Sequence, residues 1–158
     1  MAKRKKNCQV SMRCPYCGRP VQLRPTAYVY GEDNLHPQGF LYVCTGYPDA
    51  CDAYVGAHKK SMQPMGTLAN SELRHKRIEA HRALKQIWLE GYMTKHGTYI
   101  WLQNRLNLRE KDTHIGKFSD YLCMETIREC SQFVAQRRGQ KKGGREQKQV
   151  KISKKIEA

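Results

Sequence analysis

Two close pairs of cysteines constrain this chain more than anything else in it. The first lies in Cys14-Pro15-Tyr16-Cys17-Gly18, the second in Cys44-Thr45-Gly46-Tyr47-Pro48-Asp49-Ala50-Cys51. A closed structural zinc site takes four ligands at tetrahedral corners, with zinc–sulfur bonds of about 2.3 Å. Two residues between Cys14 and Cys17 let one tight turn aim both sulfurs at a single point. Pro15 fixes φ inside that turn, and Gly18 suits a following position with positive φ. Cys14, Cys17, Cys44 and Cys51 are therefore read as one Zn2+ site. Four cysteines leave no position open for water, so the metal is structural rather than catalytic. His36 and His58 are the alternatives to one cysteine as the fourth ligand.

The chain around these pairs reads as a small β-rich module over residues 13–58. Val21-Gln22-Leu23-Arg24 alternates apolar and polar, as a half-buried strand does. Ala27-Tyr28-Val29-Tyr30 is aromatic and β-branched, which also predicts a strand. Turn clusters follow at Gly31–Asn34 and Pro37–Gly39. Phe40-Leu41-Tyr42-Val43 runs as a strand into Cys44, and Ala53-Tyr54-Val55 leaves the second cysteine pair as another. So small a module buries too little surface to be stable alone, and a bound metal supplies the missing folding energy.

Residues 59–68 read as a linker into a helical segment that extends to residue 136 and is expected to pack on the ribbon. Asn70 is placed to cap a first helix over 71–90, with Glu72 in its first turn. Leu73, Ala80, Leu84 and Ile87 repeat at helical spacing with Trp88 beside them. Arg77 falls inside this stripe and is expected to pack its stem while its head reaches water. Gly91 stops the helix. Thr98 is placed to cap a second helix, with Tyr99, Leu102 and Leu106 as its buried stripe. Asn107 to Lys117 is an irregular connection, and Ser119 caps a third helix with Cys123, Ile127, Cys130 and Val134 on one face. The fold class is α+β: a zinc ribbon, a three-helix segment and disordered basic termini.

Charge separates the termini from the body. Lys and Arg number 29 against 14 Asp and Glu, a formal +15. Residues 14–136 hold 15 basic and 12 acidic side chains, so the body carries only +3. The rest lies in a basic N-terminal arm (1–12, with Arg13 next to it) and a Gly-, Lys- and Gln-rich tail (137–158), both read as disordered. Such arms either keep the protein soluble or bind phosphates, since each phosphate neutralised releases condensed counterions. Arg137, Arg138, Lys141 and Lys142 are the candidate contacts in the tail. Arg74, Arg82 and Lys85 lie on the polar side of the first helix and offer a solvated face or a phosphate-tracking one.

Other residues admit two roles. Read as strand positions, Tyr28 and Tyr30 share one face; beside Arg19 and Arg24 they are either packing or a platform for base stacking. Cys123 and Cys130 present two thiols on one helical face, which core packing explains as well as metal binding does. Cys8 is a spare thiol. His75 and His81 are six apart and lack the i, i+4 arrangement and Glu of helical metalloproteases. His114 sits in a loop, where it either serves function or packs. No apolar run approaches the ~20 residues of a membrane span, and none follows the basic N-terminus as in a signal peptide, so a cytoplasmic protein is expected. No Walker loop, nucleophile elbow, Rossmann fingerprint or carboxylate pair argues for an enzyme.

The Cys-Pro-x-Cys-Gly turn, the strands after it and the Tyr-Pro before the last cysteine resemble the zinc fingers at the C-terminal end of type IA DNA topoisomerases. Those are zinc ribbons that bind single-stranded DNA. Cys51–His58, Gly66–Asn70 and His114–Phe118 resemble a family of uncharacterised bacterial and phage proteins described as containing a zinc-finger domain, over roughly residues 13–131. The resemblance implies the zinc ligands and a bacterial or phage origin. The reading that results is a zinc-ribbon protein that binds nucleic acid, DNA or RNA, with single strands favoured. The alternative is a protein-interaction module, a phage factor docking on a host protein.

Overall fold

The computed structural model describes the backbone of residues 11–156 and side chains as far as Lys141. The expected N-terminal arm (residues 1–10 of it), Cys8 and the side chain of Lys142 lie outside the described residues. The chain divides into two compact units, one ending at His75 and one beginning at Lys76.

The first unit is built on three antiparallel strands in the order β1-β2-β3: β1 Val21–Pro25, β2 Phe40–Cys44 and β3 Tyr54–Gly56. Val21 pairs with Cys44 and Leu23 with Tyr42, while Tyr42 pairs with Val55 on the other side. The central strand is buried on both faces, from Leu41 through Cys44. Alternation divides its side chains between two clusters. Tyr42 and Cys44 join Cys14, Ala53, Val55, Ala57 and Leu68. Leu41 and Val43 join Tyr54, with Val29 and Tyr47 against them. A strand covered on both sides carries a continuous apolar run, which is how Phe40–Val43 reads in the sequence. The buried Tyr42 hydroxyl is satisfied by donating to the Met62 carbonyl at 2.5 Å.

One element differs in kind from the sequence expectation. Ala27–Tyr30 is a single helical turn, α1, and not a strand. Its start is held by Thr26, whose hydroxyl donates to the His36 carbonyl at 2.6 Å while its amide donates to the Gly39 carbonyl. β-propensity yields here to that loop closure, because four residues are too few for aromatic content to decide their conformation.

The second unit is helical. Helix α2, Ser71–Leu89, enters it; α3 spans Lys95–Leu106 and α4 Asp120–Ile156, with short 3-10 turns at Glu110–Asp112 and Ile115–Lys117. Ala80, Leu84, Ile87, Leu102, Phe118, Cys123 and Cys130 are all but inaccessible to solvent. The Asn70 side chain caps α2 by accepting from the Leu73 amide at 2.9 Å. At the other end the Gly91 amide reaches the Trp88 carbonyl and the Tyr92 amide reaches Ile87, a Schellman arrangement. Ser119 caps α4 through the Leu122 amide. The cap of α3 is Thr94, not Thr98: its hydroxyl accepts from the Gly97 amide at 3.0 Å. Thr98 lies a turn inside, fully buried, and satisfies its hydroxyl on the Thr94 carbonyl.

Two further expectations change. Arg77 is buried to its head, and its Nε donates to the Phe118 carbonyl at 3.1 Å instead of reaching water. Helix α4 also continues past Val134, where the apolar pattern ends, to Ile156. Lys, Arg, Gln and Glu are good helix formers and no proline interrupts them, so the backbone is helical through the tail that composition predicts to be disordered.

Candidate metal centre and nucleic-acid interface

The four cysteines converge where the first turn meets the end of β2 and the loop beyond it. Their sulfurs all lie within 4.8 Å of one another. Cys14 Sγ is 3.6 Å from Cys51 Sγ, and Cys17 Sγ is 3.3 Å from Cys44 Sγ. A tetrahedron with metal–sulfur bonds of about 2.3 Å has edges of roughly 3.8 Å. The cluster is therefore of the size that one metal ion requires, and the donors fit a soft, closed site. His36 and His58 are exposed and stand outside this group.

Local backbone chemistry prepares the sulfurs. The Gly18 amide closes the first turn on the Cys14 carbonyl at 2.8 Å, and Gly18 takes φ +71°, where a side chain would be strained. In the second turn both Ala50 and Cys51 amides return to the Gly46 carbonyl, at 2.9 and 3.1 Å. That double closure accommodates the six-residue interval between Cys44 and Cys51. Gly46 leaves room there: a Cβ would come 3.3 Å from Cys51 Cβ and 3.2 Å from the Arg19 stem, tighter than ordinary contact. The Arg19 amide draws the Cys17 thiol down to about 6. Burial instead pushes Cys44 up to about 12 and raises Cys51. Amide donors favour the thiolate and burial opposes it, and a bound metal ion would favour the thiolate at every sulfur. The Arg19 guanidinium, held by Cys17 and attracted by Cys44 and Cys51, supplies countercharge. The Arg19 stem also lies against Gly46, so the structure brings Arg19 next to the cysteine cluster.

On the side of β2 that carries Leu41 and Val43, four tyrosines form a row. Tyr28 lies 6.0 Å from Tyr47, Tyr47 lies 6.1 Å from Tyr54, and Tyr54 meets Tyr30 edge-on at 5.9 Å. Tyr47 and Tyr54 are the inner members. Tyr28 and Tyr30 are the outer ones, 47% and 56% exposed. Because α1 is helical, the two do not share one face as strand neighbours would; Tyr28 meets Tyr47 and Tyr30 meets Tyr54. Arg24 lies over the Tyr28 ring at 5.2 Å. Arg74 stacks on Tyr54 at 3.8 Å and donates to the carbonyls of Asp52 and Ala69. Those bonds engage Arg74 within the module, where it braces the row from behind. The Tyr30 hydroxyl donates to that of Tyr54 at 3.1 Å, and burial raises Tyr54 to about 12.

The remaining expected cations belong to the second unit. Arg82 and Lys85 are exposed and line a cavity of about 580 Å³ with Arg77, Ile78, His81, Tyr99 and the 113–116 loop, which includes His114. Helical spacing groups Arg82 with Lys85, but nothing local brings His114 to them, since that meeting depends on the return of the 113–116 loop, and Tyr99 reads in the sequence as a packing residue alone. Arg137 lies over Phe133 at 5.2 Å, Lys141 lies over Tyr92 at 4.4 Å, and Arg138 pairs with Glu90 at 2.5 Å. Cys123 and Cys130 are buried thiols raised by desolvation, as core residues are, and fall outside the metal-sized cluster. None of the described helices is long and apolar enough to cross a membrane.

A family described as a zinc-finger-containing domain matches residues 10–133. No curated protein and no solved structure matches the chain.

Proposed function

The chain belongs to the zinc-finger-containing domain family, and from that premise we propose that its four cysteines hold a structural zinc ion and that the module so folded binds single-stranded nucleic acid on its tyrosine row. The observation that carries this reading is the pair of exposed rings, Tyr28 and Tyr30, backed by Tyr47 and Tyr54 and accompanied by the Arg24 guanidinium. Such rings present π faces to unpaired bases, and stacking is worth about 1–3 kcal/mol per base with little regard to sequence. Arg24 adds charge for the neighbouring phosphate. The rigid backing matters because rings already held in place lose less entropy on binding. The ion itself contributes folding energy and fixes both turns; the contact with the ligand is made by the side chains. DNA is the first expectation for the strand and RNA the second, in a cytoplasmic protein of bacterial or phage origin whose basic ends add salt-sensitive attraction.

The test is a salt series with the full zinc-loaded chain and oligothymidylate, single-stranded RNA and duplex DNA. Single strands are expected to bind more tightly than duplex. Replacing both Tyr28 and Tyr30 by Ser is expected to weaken single-strand binding by about tenfold or more at every salt concentration, the equivalent of one lost stacking contact. A double variant that binds as the parent does, with the same salt slope, would contradict the reading.

A further inference from the structure

The cavity in the helical unit has a composition that packing does not require. Ile78, His81, Arg82 and Lys85 project from one face of α2, at i, i+3, i+4 and i+7. Tyr99 from α3 and the 113–116 loop form other walls. Arg82, Lys85, His81 and His114, with the buried Arg77 behind them, thus line one concave space, and no Asp or Glu lines it. Ordinary protein surfaces intersperse the two signs, and acidic residues elsewhere in this unit are paired with bases: Asp120 with Lys76, Glu129 with Arg105, and Asp112 with Arg109. Arg82 and Lys85 form no ion pair among the described residues. Their charges are directed to the cavity and the solvent at its mouth.

Size and chemistry narrow the ligand. A volume of about 580 Å³ falls within the range of small-molecule sites, roughly 300–1,000 Å³. Guanidinium groups match phosphate oxygens in a forked geometry, and Lys adds a point charge. The other walls are apolar and aromatic. Ile78 is half exposed, and Tyr99 is held against Trp88, the rings 6.3 Å apart and 29° from parallel. A ligand with a phosphate at one end and a flat ring at the other satisfies both halves.

We propose that this cavity binds one nucleotide unit, with its phosphate between Arg82 and Lys85 and its base against Tyr99 and Ile78. The unit comes either as a free nucleotide or as the phosphorylated end of a strand; the recognition chemistry is shared. The site is separate from the tyrosine row and does not depend on it.

The experiment is a titration of the full zinc-loaded chain with adenosine 5′-monophosphate and with adenosine, followed by amide NMR shifts. The monophosphate is expected to bind saturably, with shifts centred on α2, Tyr99 and the 113–116 loop, and adenosine to bind at least about tenfold more weakly, as loss of a charge-assisted contact implies. Arg82→Gln/Lys85→Gln exchanges two exposed side chains, so the fold should persist, and it is expected to reduce monophosphate affinity by about tenfold or more. The Tyr28→Ser/Tyr30→Ser variant is expected to bind the monophosphate as the parent does, so failure of the tyrosine row and failure of this cavity are told apart. Equal binding of monophosphate and adenosine, or an Arg82/Lys85 variant with unchanged affinity, overturns the proposal. A 5′-phosphorylated oligothymidylate that binds more tightly than its unphosphorylated form, with the gain lost in the Arg82/Lys85 variant, identifies the strand end as the source. Saturable monophosphate binding without that gain identifies the free nucleotide.

Discussion

The two units of this protein reach order by different means. In the first, three short strands and two cysteine turns surround two small clusters, one around Tyr42 and one around Tyr54. In the second, long helices bury Leu84, Ile87, Leu102 and Phe118 completely. A helix supplies its own backbone bonds and needs only an apolar stripe to bury. The small sheet has fewer residues to bury, and its two turns meet at four cysteines that fit one metal ion. What the difference teaches is that exposed aromatic rings occur in both units but are clustered only in the first: Tyr28 and Tyr30 rest on Tyr47 and Tyr54, while Tyr121 of the second is exposed singly.

The largest test of that contrast is removal of the metal. Structural zinc sites in finger peptides are worth about 10–16 kcal/mol near neutral pH, more than a domain's whole stability. Chelation, or Cys44→Ser, is expected to abolish the sheet of the first unit while most of the far-UV helical signal survives. A sheet that persists in the metal-free protein, followed by the amide shifts of β2, would break the contrast.

A smaller effect sharpens it from the other side. Phe118→Ala in the helical unit is expected to cost about 3–5 kcal/mol by cavity formation. Denaturant unfolding should show the loss in the helical transition, while metal stoichiometry stays at one ion per chain. A variant that also loses its metal would mean that the units are not energetically distinct.

The smallest effect concerns pH. Arg138, and after it Gln86, hold the Glu90 carboxyl down to about 2, against an ordinary 4.5. A carboxyl lowered in the folded state contributes stability that is present above 4.5 and is lost as pH falls through 2. Acid titration of the helical unit should therefore show a stability loss between these values that Glu90→Gln lacks. Both groups face solvent, so the difference is expected to be slight and to shrink with added salt. Parallel acid profiles for the two proteins would remove the pair from the account.

Legibility in the sequence followed the range of the determining contacts. The cysteine cluster was readable because its turns are local and each carries its own glycine. The caps at Asn70 and Ser119 and the stop at Gly91 were readable for the same reason. Ala27–Tyr30 was not, because a distant loop around His36 and Gly39 decides its conformation. Arg77 was misplaced since its acceptor, the Phe118 carbonyl, is 41 residues away. Thr94 and Thr98 are both plausible caps in one turn, and only the Gly97 amide distinguishes them. The cavity is a tertiary product throughout: periodicity groups Arg82 with Lys85, but nothing local brings His114 or Tyr99 to them.

The measurement that tests the central claim most directly is oligothymidylate affinity of the full chain before and after zinc removal, with the helical signal recorded on the same samples. The account predicts that chelation lowers single-strand affinity by about tenfold or more, that the helices survive, and that restoring one equivalent of zinc restores binding. Affinity unchanged in the metal-free protein would contradict it, because the tyrosine row would then have no part in holding the strand.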